Sequence, residues 1–539
     1  MLTDASPKIL DIRRILLYWF DPAEGFADRL IARFLFLRAL GLIYFSAFYA
    51  LLYQERGLIG AHGILPAQEL LQSLDGIGWL RYWYAPTLLW FSASDHWLMA
   101  LSWVGLIASL LVVANIWPRA MLLVCFLSFL SFVSAARDFS GYQSDGMLLE
   151  AGFLSLFLAP GGILPGWGER EPGSRAALVL LLWEWFRIYF ESGVVKLASG
   201  DPTWRNLTAM YEYYQNGPLP TWIGWYLQHL PRWFHIATAA ATLGMELGLV
   251  WMALMPRPWR IACFFIVTCW QIGVIATANY AFLNYLVLVL AVLLLDDAFL
   301  VRVIPARWRQ SVPFGTPYVN LAGLGETAGR ALRGREAFGI GMRAVLLLWV
   351  GYATAVPLVR MFWPGAPLPA RPVALLEPFR IANQYGLFAV MTPHRYEIEF
   401  QGSDDGTNWV AYRFRSKPQA VNERPRIYAP YQPRFDWNLW FASLGWWQQY
   451  PFVVRTEERL LENDAAVLSL FDGNPFGRSP PRLVRAVLWE YWFSTPEQKR
   501  TQGVWWTRQF LGSYAPTLAR LPDGRFGIVE EAAAPERQP

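Results

Sequence analysis

The sequence predicts a polytopic α-helical membrane protein of seven to nine spans with a C-terminal extramembrane β-rich domain. Apolar residues make up 55% of the 539 residues and charged residues only 16%, whereas a soluble domain carries about 25% charged residues. Aromatic residues reach 16%, with 29 Trp, and Trp and Tyr collect at lipid–water boundaries. Several apolar runs approach the length of about 20 residues that a spanning helix needs. This composition excludes a disordered chain and a disulfide scaffold.

Nine apolar stretches are candidate spans, and because three of them are short, we expect seven to nine spans. A cytoplasmic N-terminal segment, 1–32, precedes a transmembrane helical body at 33–295. A Gly- and Arg-rich cytoplasmic linker, 296–341, then leads to a final span at 342–362. The nine candidates lie near 33–53, 97–117, 119–135, 145–161, 176–198, 235–255, 259–277, 280–295 and 342–362.

The distribution of basic residues predicts the orientation of the chain in the membrane. Cytoplasmic loops of membrane proteins accumulate Lys and Arg. With the N-terminus placed inside, most basic residues of the first 343 positions fall in inside segments. We therefore expect everything after about residue 363 to lie outside, in the periplasm of a bacterial inner membrane or in the endoplasmic reticulum lumen of a eukaryote. The net charge of +5 needs no nucleic-acid partner, because no basic nucleic-acid-binding motif is present.

The segment 363–515 has the pattern of a periplasmic or lumenal β-rich domain, which we expect to be a small β-sandwich. HRYEIEF alternates apolar and charged residues, which is typical of a half-buried strand. A turn at Asp405-Gly406 and the return strand NWVAYRFR complete a predicted hairpin. A further strand is predicted at 482–493, a helix around 452–471, and a flexible tail at 516–539.

Ionisable residues inside the predicted spans are the strongest functional signal, because charges are costly in lipid and usually face the helix bundle. Glu184, Arg187 and Glu191 fall on one helical stripe. Arg137 and Asp145 lie around the start of another span. We expect a polar network within the membrane, either a structural ion-pair network or part of a site. Its predicted members are Glu184, Arg187, Asp145 and Arg137.

Lys196 allows two interpretations. It either snorkels or pairs structurally, or it points into a cavity as a base. The aromatic loop 199–234 forms a belt at the interface or a partner surface. The residues that we expect to contact a protein client are Trp204, Tyr211, Tyr213, Trp437 and Trp440.

Several functional classes lose support. The five His residues form no HxxxH or HxH pattern, so we expect no metal site. No nucleophile elbow, phosphate-binding loop or dinucleotide fingerprint is present, and we expect no cofactor. A transporter is disfavoured because the spans show no obvious internal repeat.

Long segments of the chain resemble the lipase maturation factors, over about residues 137–510. They are SDGMLLEAGFLSLFLAP, SGVVKLASGDPTWRNLTAMYEYYQNGPLP with WYLQHLP, NQYGLFAVMTPHRYEIEFQGSDDGTNWVAYRFRSKP, APYQPRFDWNLWFASLG and GNPF. The resemblance implies a multispanning protein of the secretory pathway that acts as a chaperone in protein maturation. Its large C-terminal part would face the lumen. Its partners would be the lipid bilayer and a secreted lipase or another exported protein.

A shorter segment, Gly193 to Leu197 with Trp204 downstream, is similar to the membrane domain of vitamin-K-dependent carboxylases, where a Lys acts as a base. Two hypotheses follow. The first is a non-enzymatic maturation factor for exported lipases or other secreted clients. The alternative is a membrane enzyme acting on a lipid or quinone-like substrate, with Lys196 as the base and Glu191 and Glu150 tuning it.

Overall fold

A computed structural model describes residues 12–305 and 334–532. Within these residues, six helices are long and apolar enough to cross a membrane, so the predicted count of seven to nine spans is not confirmed. The candidate spans are Ala27–Leu52, Asp95–Val113, Pro118–Ala135, Arg232–Leu254, Arg257–Thr277 and Gly334–Phe362. The last of these covers the predicted final span and begins at Gly334, inside the predicted linker, most of which lies outside the described residues.

The longer helices of the body are numbered α1 (Ile12–Phe20), α2 (Leu30–Leu52), α3 (Asp95–Val113), α4 (Pro118–Ala135), α5 (Gln143–Ser155), α6 (Arg175–Ala198), α7 (Arg232–Leu254), α8 (Arg257–Thr277), α9 (Leu283–Leu294) and α10 (Gly334–Phe362). The short helices are Pro22–Glu24, Ala27–Arg29, Glu55–Ile59, Ala67–Ser73, Asp75–Leu80, Arg81–Tyr84, Leu88–Trp90, Arg137–Ser140, Pro202–Arg205, Tyr213–Asn216, Trp222–Gln228, Asp297–Val303, Arg371–Ala374, Glu377–Phe379, Trp447–Gln449, Ala465–Leu468 and Pro496–Gln502.

Small residues and capping groups position these helices. Helices α2, α3 and α4 pack side by side, and Gly105 of α3 lies directly against the Phe48 ring of α2, where a Cβ would collide with the ring. Asp297 caps the start of α2 from a distant part of the chain, since its carboxylate accepts hydrogen bonds from the N–H groups of Leu30 at 2.8 Å and Ile31 at 2.9 Å. Burial raises the pKa of Asp297 to about 6.

Helix α6 lies at the centre of the body, in contact with α1, α5, α7, α9 and α10. The Ser174 side chain caps its first turn by accepting a hydrogen bond from Ala177. Because α6 is central, its charged side chains are shielded from both lipid and water. Each of them therefore needs a partner within the protein.

The C-terminal domain is one antiparallel sheet covered by helices. Its strands are β1 (Arg395–Ser403), β2 (Val410–Ala411), β3 (Leu483–Phe493), β4 (Trp506–Ser513), β5 (Thr517–Arg520) and β6 (Phe526–Glu530). The order is β2-β1-β3-β5-β6, and β4 pairs with β3 beside β5. Helices α11 (Arg434–Ser443) and α12 (Phe452–Leu461) pack against β1 and β3.

The strand predicted at 482–493 is confirmed. The predicted hairpin is also confirmed, although only Val410–Ala411 of its return strand pairs with β1, and the helix predicted near 452–471 covers Phe452–Leu461. Three expectations are wrong. The strands form a single sheet and not a sandwich, and the predicted flexible tail contributes β5 and β6. Strand β1 is buried along its whole length and not half-buried, because the face carrying Glu397 and Glu399 is covered by the chain around Lys417 and Gln419.

Candidate functional site at the interface of the two domains

The polar stripe of α6 faces a strap of the C-terminal domain, which we define as residues 383–392. Side chains spaced by three or four residues share one helix face, and this face carries Glu184, Arg187, Glu191 and then Ser192 and Lys196. Each of these five side chains hydrogen-bonds to a residue of the strap. The charges that the sequence places within the spans therefore join the two domains.

The centre of this contact is a buried ion pair between Arg187 of α6 and Glu150 of α5, with side chains 0% and 1% exposed. Asn383 completes it from the strap. Its carbonyl oxygen accepts a hydrogen bond from Arg187 Nη1 at 2.6 Å, and its backbone N–H donates to Glu150 Oε2 at 3.0 Å. The Asn383 side chain also donates to the Gly146 carbonyl at 2.9 Å. Pairing and hydrogen bonding together make it possible to keep these charges away from water.

Tyr385 connects the remaining carboxylates of the stripe. Its N–H donates to Glu191 Oε2 at 2.7 Å and its hydroxyl donates to Glu150 Oε2 at 3.0 Å. Glu184 Oε1 lies 3.5 Å from the same hydroxyl. Tyr385 therefore contacts three buried carboxylates, two on the stripe of α6 and one on α5.

Lys196 is paired and does not snorkel. Its Nζ donates to Glu246 Oε1 of α7 and to the Leu387 carbonyl, both at 2.8 Å, and its side chain is 3% exposed. The Trp204 ring centroid lies 5.2 Å from Nζ, within the range of a cation–π contact. The ammonium group is thus neutralised by one carboxylate and serves as a hydrogen-bond donor to the strap.

The outer half of the strap is held by residues that follow α6. Ser199 Oγ donates to the Ala389 carbonyl at 2.8 Å, and Trp204 Nε1 donates to the Phe388 carbonyl at 3.0 Å. Asp201 accepts a hydrogen bond from the N–H of Met391 at 2.7 Å. Burial opposes ionisation of Asp201, but the N–H donors of Met391 and Thr203 outweigh it and lower its pKa.

A second buried ion pair joins α11 to the start of α5. Arg434 binds Asp145 through two hydrogen bonds, of 2.7 and 2.8 Å, and donates to the Phe139 carbonyl at 2.8 Å. Beside it, the Tyr142 hydroxyl lies 2.9 Å from Asn438 Oδ1, and Asn438 Nδ2 donates to the Asp138 carbonyl at 2.7 Å. The Arg434–Asp145 pair is bidentate, which is the strongest form of Arg–carboxylate pairing.

Arg395 at the start of β1 provides a third connection. Its guanidinium donates to the carbonyls of Gln215 at 2.9 Å and Pro218 at 3.2 Å, in the loop that follows α6, and it pairs with Glu397. Lys417 binds the other oxygen of Glu397 at 2.7 Å. The two acidic residues of β1 that the alternation placed in solvent, Glu397 and Glu399, are therefore partnered inside the protein.

A cavity of about 630 Å³ lies beside Lys196, among α6, α7, α8 and α9, and is capped by the strap and α11. Lys196 and Glu246 mark its polar end, and Gln271 and Asn284 bond to each other at 2.6 Å in its wall. Most of the remaining wall is aromatic or aliphatic. The cavity falls within the range of about 300–1,000 Å³ that is typical of ligand sites.

The structure brings most predicted site residues together but changes their roles. Glu150, Glu184, Arg187 and Glu191 form one cluster, whereas Asp145 belongs to the Arg434 pair. The prediction of Arg137 in the network is wrong, because the residue is exposed at the start of the short helix Arg137–Ser140, where its backbone is left-handed.

The aromatic residues predicted to contact a client are mostly internal. Trp204, Trp437 and Trp440 are buried and, with Tyr213, line the cavity. Tyr211 and Tyr213 are both partly exposed, but Tyr211 lies outside the cavity wall, with its ring near Arg232. Aromatic side chains are common both in protein interiors and at protein interfaces. Residue type alone therefore could not show whether these side chains line a cavity or contact a client.

Sequence reasoning missed the partners on the other side of the interface, namely Asn383, Tyr385, Glu246 and Arg434. Asn383 and Tyr385 fall in the quoted NQYG segment, and Arg434 falls in APYQPRFDWNLW. The signal was therefore present in the resemblance, but nothing in the spacing connects positions this distant.

Comparison with known proteins matches both domains. A family model described as the lipase maturation factor transmembrane domain covers residues 31–302, and one described as the lipase maturation factor C-terminal domain covers residues 381–516. The chain belongs to the lipase maturation factor family. The first match contains α6, and the second contains the strap and Arg434, so the interface is built from both family domains.

Individual lipase maturation factors match over most of their length. Lipase maturation factor 1 of Bos taurus is 32% identical over 513 residues, which cover 91% of this chain and 89% of the relative. Lipase maturation factor 1 of Homo sapiens is 31% identical, covering 91% and 88%. Lipase maturation factor 2 of Homo sapiens is 30% identical, covering 91% and 83%. No solved structure matches the chain. These matches do not support the carboxylase-like alternative.

Proposed function

We propose that this chain is a membrane-embedded maturation factor that assists the folding or assembly of exported lipases or other secreted clients. The observation that supports this proposal is the family match across both domains, to relatives whose printed names describe lipase maturation. The arrangement of charges agrees with a binding role. Lys196 is held by a carboxylate and a carbonyl, so it acts as a structural donor in this proposal and not as a base.

The interface suggests how such a factor works. Three sets of buried polar contacts, centred on Arg187, Arg434 and Arg395, hold the sheet domain against α5, α6 and the loop that follows α6. A domain held in this way presents its outer surface at a constant distance from the bilayer. An emerging client would meet that surface before it could leave the membrane. Because Trp204, Trp437 and Trp440 are buried, the client contacts the exposed outer surface in this proposal.

We further propose that the protein lies in a bacterial inner membrane with the C-terminal domain in the periplasm. The excess of basic residues in the predicted inside segments supports this orientation.

The function is tested in cells that lack the gene, by measuring the specific activity of each exported lipase per mass of secreted lipase. We expect specific activity to fall for the client and to return when the chain is restored. A chain carrying Arg434→Gln should restore less activity than one carrying Arg413→Ala, because Arg413 belongs to an exposed pair with Glu423. Unchanged specific activity of every exported lipase in the deletion strain would contradict a role in lipase maturation.

The orientation is tested with single cysteines in a background in which Cys269, the exposed native cysteine, is replaced by Ser. Asp405→Cys places a thiol in the turn between β1 and β2, and Arg335→Cys places one at the start of α10. A membrane-impermeant maleimide applied to spheroplasts should label the first and not the second. Labelling of Arg335→Cys alone would reverse the proposed orientation.

A further inference from the structure

The cavity beside Lys196 lies between two helices that face the bilayer. Helix α7 contributes Phe234, Thr238, Thr242 and Glu246, which follow one another at intervals of four and so form one helix face. Helix α8 contributes residues of its second half to the opposite wall. The spanning windows of α7 and α8 are only 28% and 22% buried within the protein, so lipid surrounds both helices. Both helices therefore leave most of their surface exposed, and in a bilayer this surface would place the cavity next to lipid.

The polar end of the cavity is electrically balanced. Lys196 and Glu246 form a pair at 2.8 Å, and no other charged side chain lies in the described wall. A charged headgroup would bring an uncompensated charge into a site of low dielectric, which is costly. The occupant that fits this end is uncharged.

The same end requires a hydrogen-bond donor. Glu246 Oε2 has no hydrogen-bond partner among the residues that the structure describes, although Oε1 is bound to Lys196. A buried carboxylate oxygen without a donor is costly, so a ligand hydroxyl that reached this oxygen after a small movement of the Glu246 side chain would be favourable. Thr238 and Thr242 add hydroxyl groups along the same wall.

The remainder of the cavity suits an acyl chain. Trp270, Val274, Leu283 and Val287 line it from α8 and α9, and Trp437 closes it from α11. Because lipid tails are as apolar as these side chains, an acyl chain can move from the bilayer into such a wall without losing favourable surroundings. The long apolar wall and the small neutral polar end together describe an amphiphile and not a polar metabolite.

We propose that this cavity binds an uncharged acylglycerol with a free hydroxyl group, which enters from the bilayer between α7 and α8 with its headgroup at Lys196 and Glu246. The proposal concerns binding only and goes beyond the maturation function, since it would hold for a protein of this structure whatever its client.

The test uses the purified full chain in detergent and a monoacylglycerol that carries a photoreactive diazirine in its acyl chain. Gly273 lies in the cavity wall, and a Cβ added there meets nothing within 4 Å, so Gly273→Leu fills the cavity without a clash at its base. Gly244 of α7 has the same open surroundings but does not line the cavity, so Gly244→Leu is the matched control. Thermal unfolding of both variants confirms that they fold.

We expect saturable labelling of the peptide that contains Trp270 and Leu283. Because Gly273→Leu removes the space for the chain, it should reduce this labelling about tenfold, whereas Gly244→Leu should leave it within about twofold. Unlabelled 1-monooleoylglycerol should compete, and oleate or dioleoylphosphatidylglycerol should compete about tenfold less well. Equal labelling of Gly273→Leu and the parent, or equal competition by oleate, would overturn the proposal.

A second variant tests the headgroup position. Glu246→Gln leaves the Lys196 charge unbalanced, so the site should now prefer oleate over 1-monooleoylglycerol. If the preference does not change while the protein remains folded, the headgroup does not lie at this pair and the assignment is wrong.

Discussion

Arg434 and Asp145 are 289 residues apart in sequence and form a buried bidentate ion pair, with Nη1–Oδ2 and Nη2–Oδ1 distances of 2.7 and 2.8 Å. The first belongs to the sheet domain and the second to the helix α5 of the membrane body. Their side chains are 1% and 0% exposed. Since neither residue has another partner of opposite charge at this distance among the residues that the structure describes, the correct docking of the two domains is what neutralises both.

The first prediction concerns this pair. Arg434→Gln or Asp145→Asn leaves one buried charge without its partner, which we expect to cost about 3–5 kcal/mol of stability. The double variant should be less destabilised than the sum of the two single changes, because both charges are then absent. Thermal unfolding of the purified protein measures the effect, and limited proteolysis should release the C-terminal domain more readily. The control is Arg413→Ala, which removes one partner of the exposed Arg413–Glu423 pair and should change stability by at most about 1 kcal/mol. If the Arg434 and Arg413 variants lost similar stability, the domain-docking role of Arg434 would be contradicted.

The second prediction concerns the close approach of the strap to α5. A Cβ on Gly146 would lie 2.6 Å from Asn383 Oδ1. Because Asn383 is held by hydrogen bonds to Glu150 and Arg187, it cannot move aside freely, and we expect Gly146→Ala to destabilise the protein by about 1–3 kcal/mol. Gly141→Ala is the matched control, since nothing lies within 4 Å of its added Cβ. The unfolding temperatures of the two variants should differ clearly; identical temperatures would show that the strap tolerates displacement.

The third prediction separates a structural from a client-binding role for Trp440. Its Nε1 donates to the Asn216 carbonyl at 2.9 Å, and the side chain is nearly buried. Trp440→Phe leaves that carbonyl without its donor and should cost about 1–3 kcal/mol. We expect client activity to fall only in proportion to the loss of folded protein. Trp79→Phe, at a ring that is 76% exposed, should leave the unfolding temperature unchanged. Lost client activity at an unaltered unfolding temperature in Trp440→Phe would instead restore the client-contact hypothesis.

The fourth prediction concerns pH. Burial raises the pKa of Asp436 in α11 to about 6, although Lys417 acts in the opposite direction. The folded state therefore binds the proton more tightly than the unfolded state does. The resulting stability is complete below the ordinary pKa of about 3.9 and is lost as the pH rises through about 6, with a total of roughly 3 kcal/mol. Asp436→Asn does not titrate.

Thermal unfolding of parent and Asp436→Asn between pH 4 and pH 7.5 checks this sign. The variant should gain stability relative to the parent as the pH rises, because only the parent must then bury a carboxylate. A difference between the two proteins that stays constant over this range would show that the carboxyl titrates at its ordinary pKa.

Local sequence patterns predict much of the fold. Alternation in HRYEIEF and the turn at Asp405-Gly406 specify the hairpin, since the N–H groups of Thr407 and Asn408 bind the Asp405 carboxylate within the turn itself. The apolar runs specify most of the spanning helices for a similar reason, because length and composition decide whether a helix suits the bilayer. The prediction of a flexible tail at 516–539 is wrong because β5 and β6 are short strands that gain their stability from pairing, β5 with β3 and β6 with β5.

The sequence by itself determined which charges are exceptional, and only the tertiary structure decided what they do. Glu184, Arg187, Glu191 and Lys196 stand out because charge is rare and costly in a membrane, which is a property of composition and helix periodicity. Arg187 and Lys196 find their opposite charges on α5 and α7, and the strap residues that all four side chains contact lie some 190 or more residues later, as with Arg187 and Asn383. Pairing across that distance depends on how two separately predictable domains dock, and no local pattern records it. For the same reason the sequence showed that Trp437 and Trp440 are large and apolar, whereas the packing of α11 over the cavity decided that they face inward.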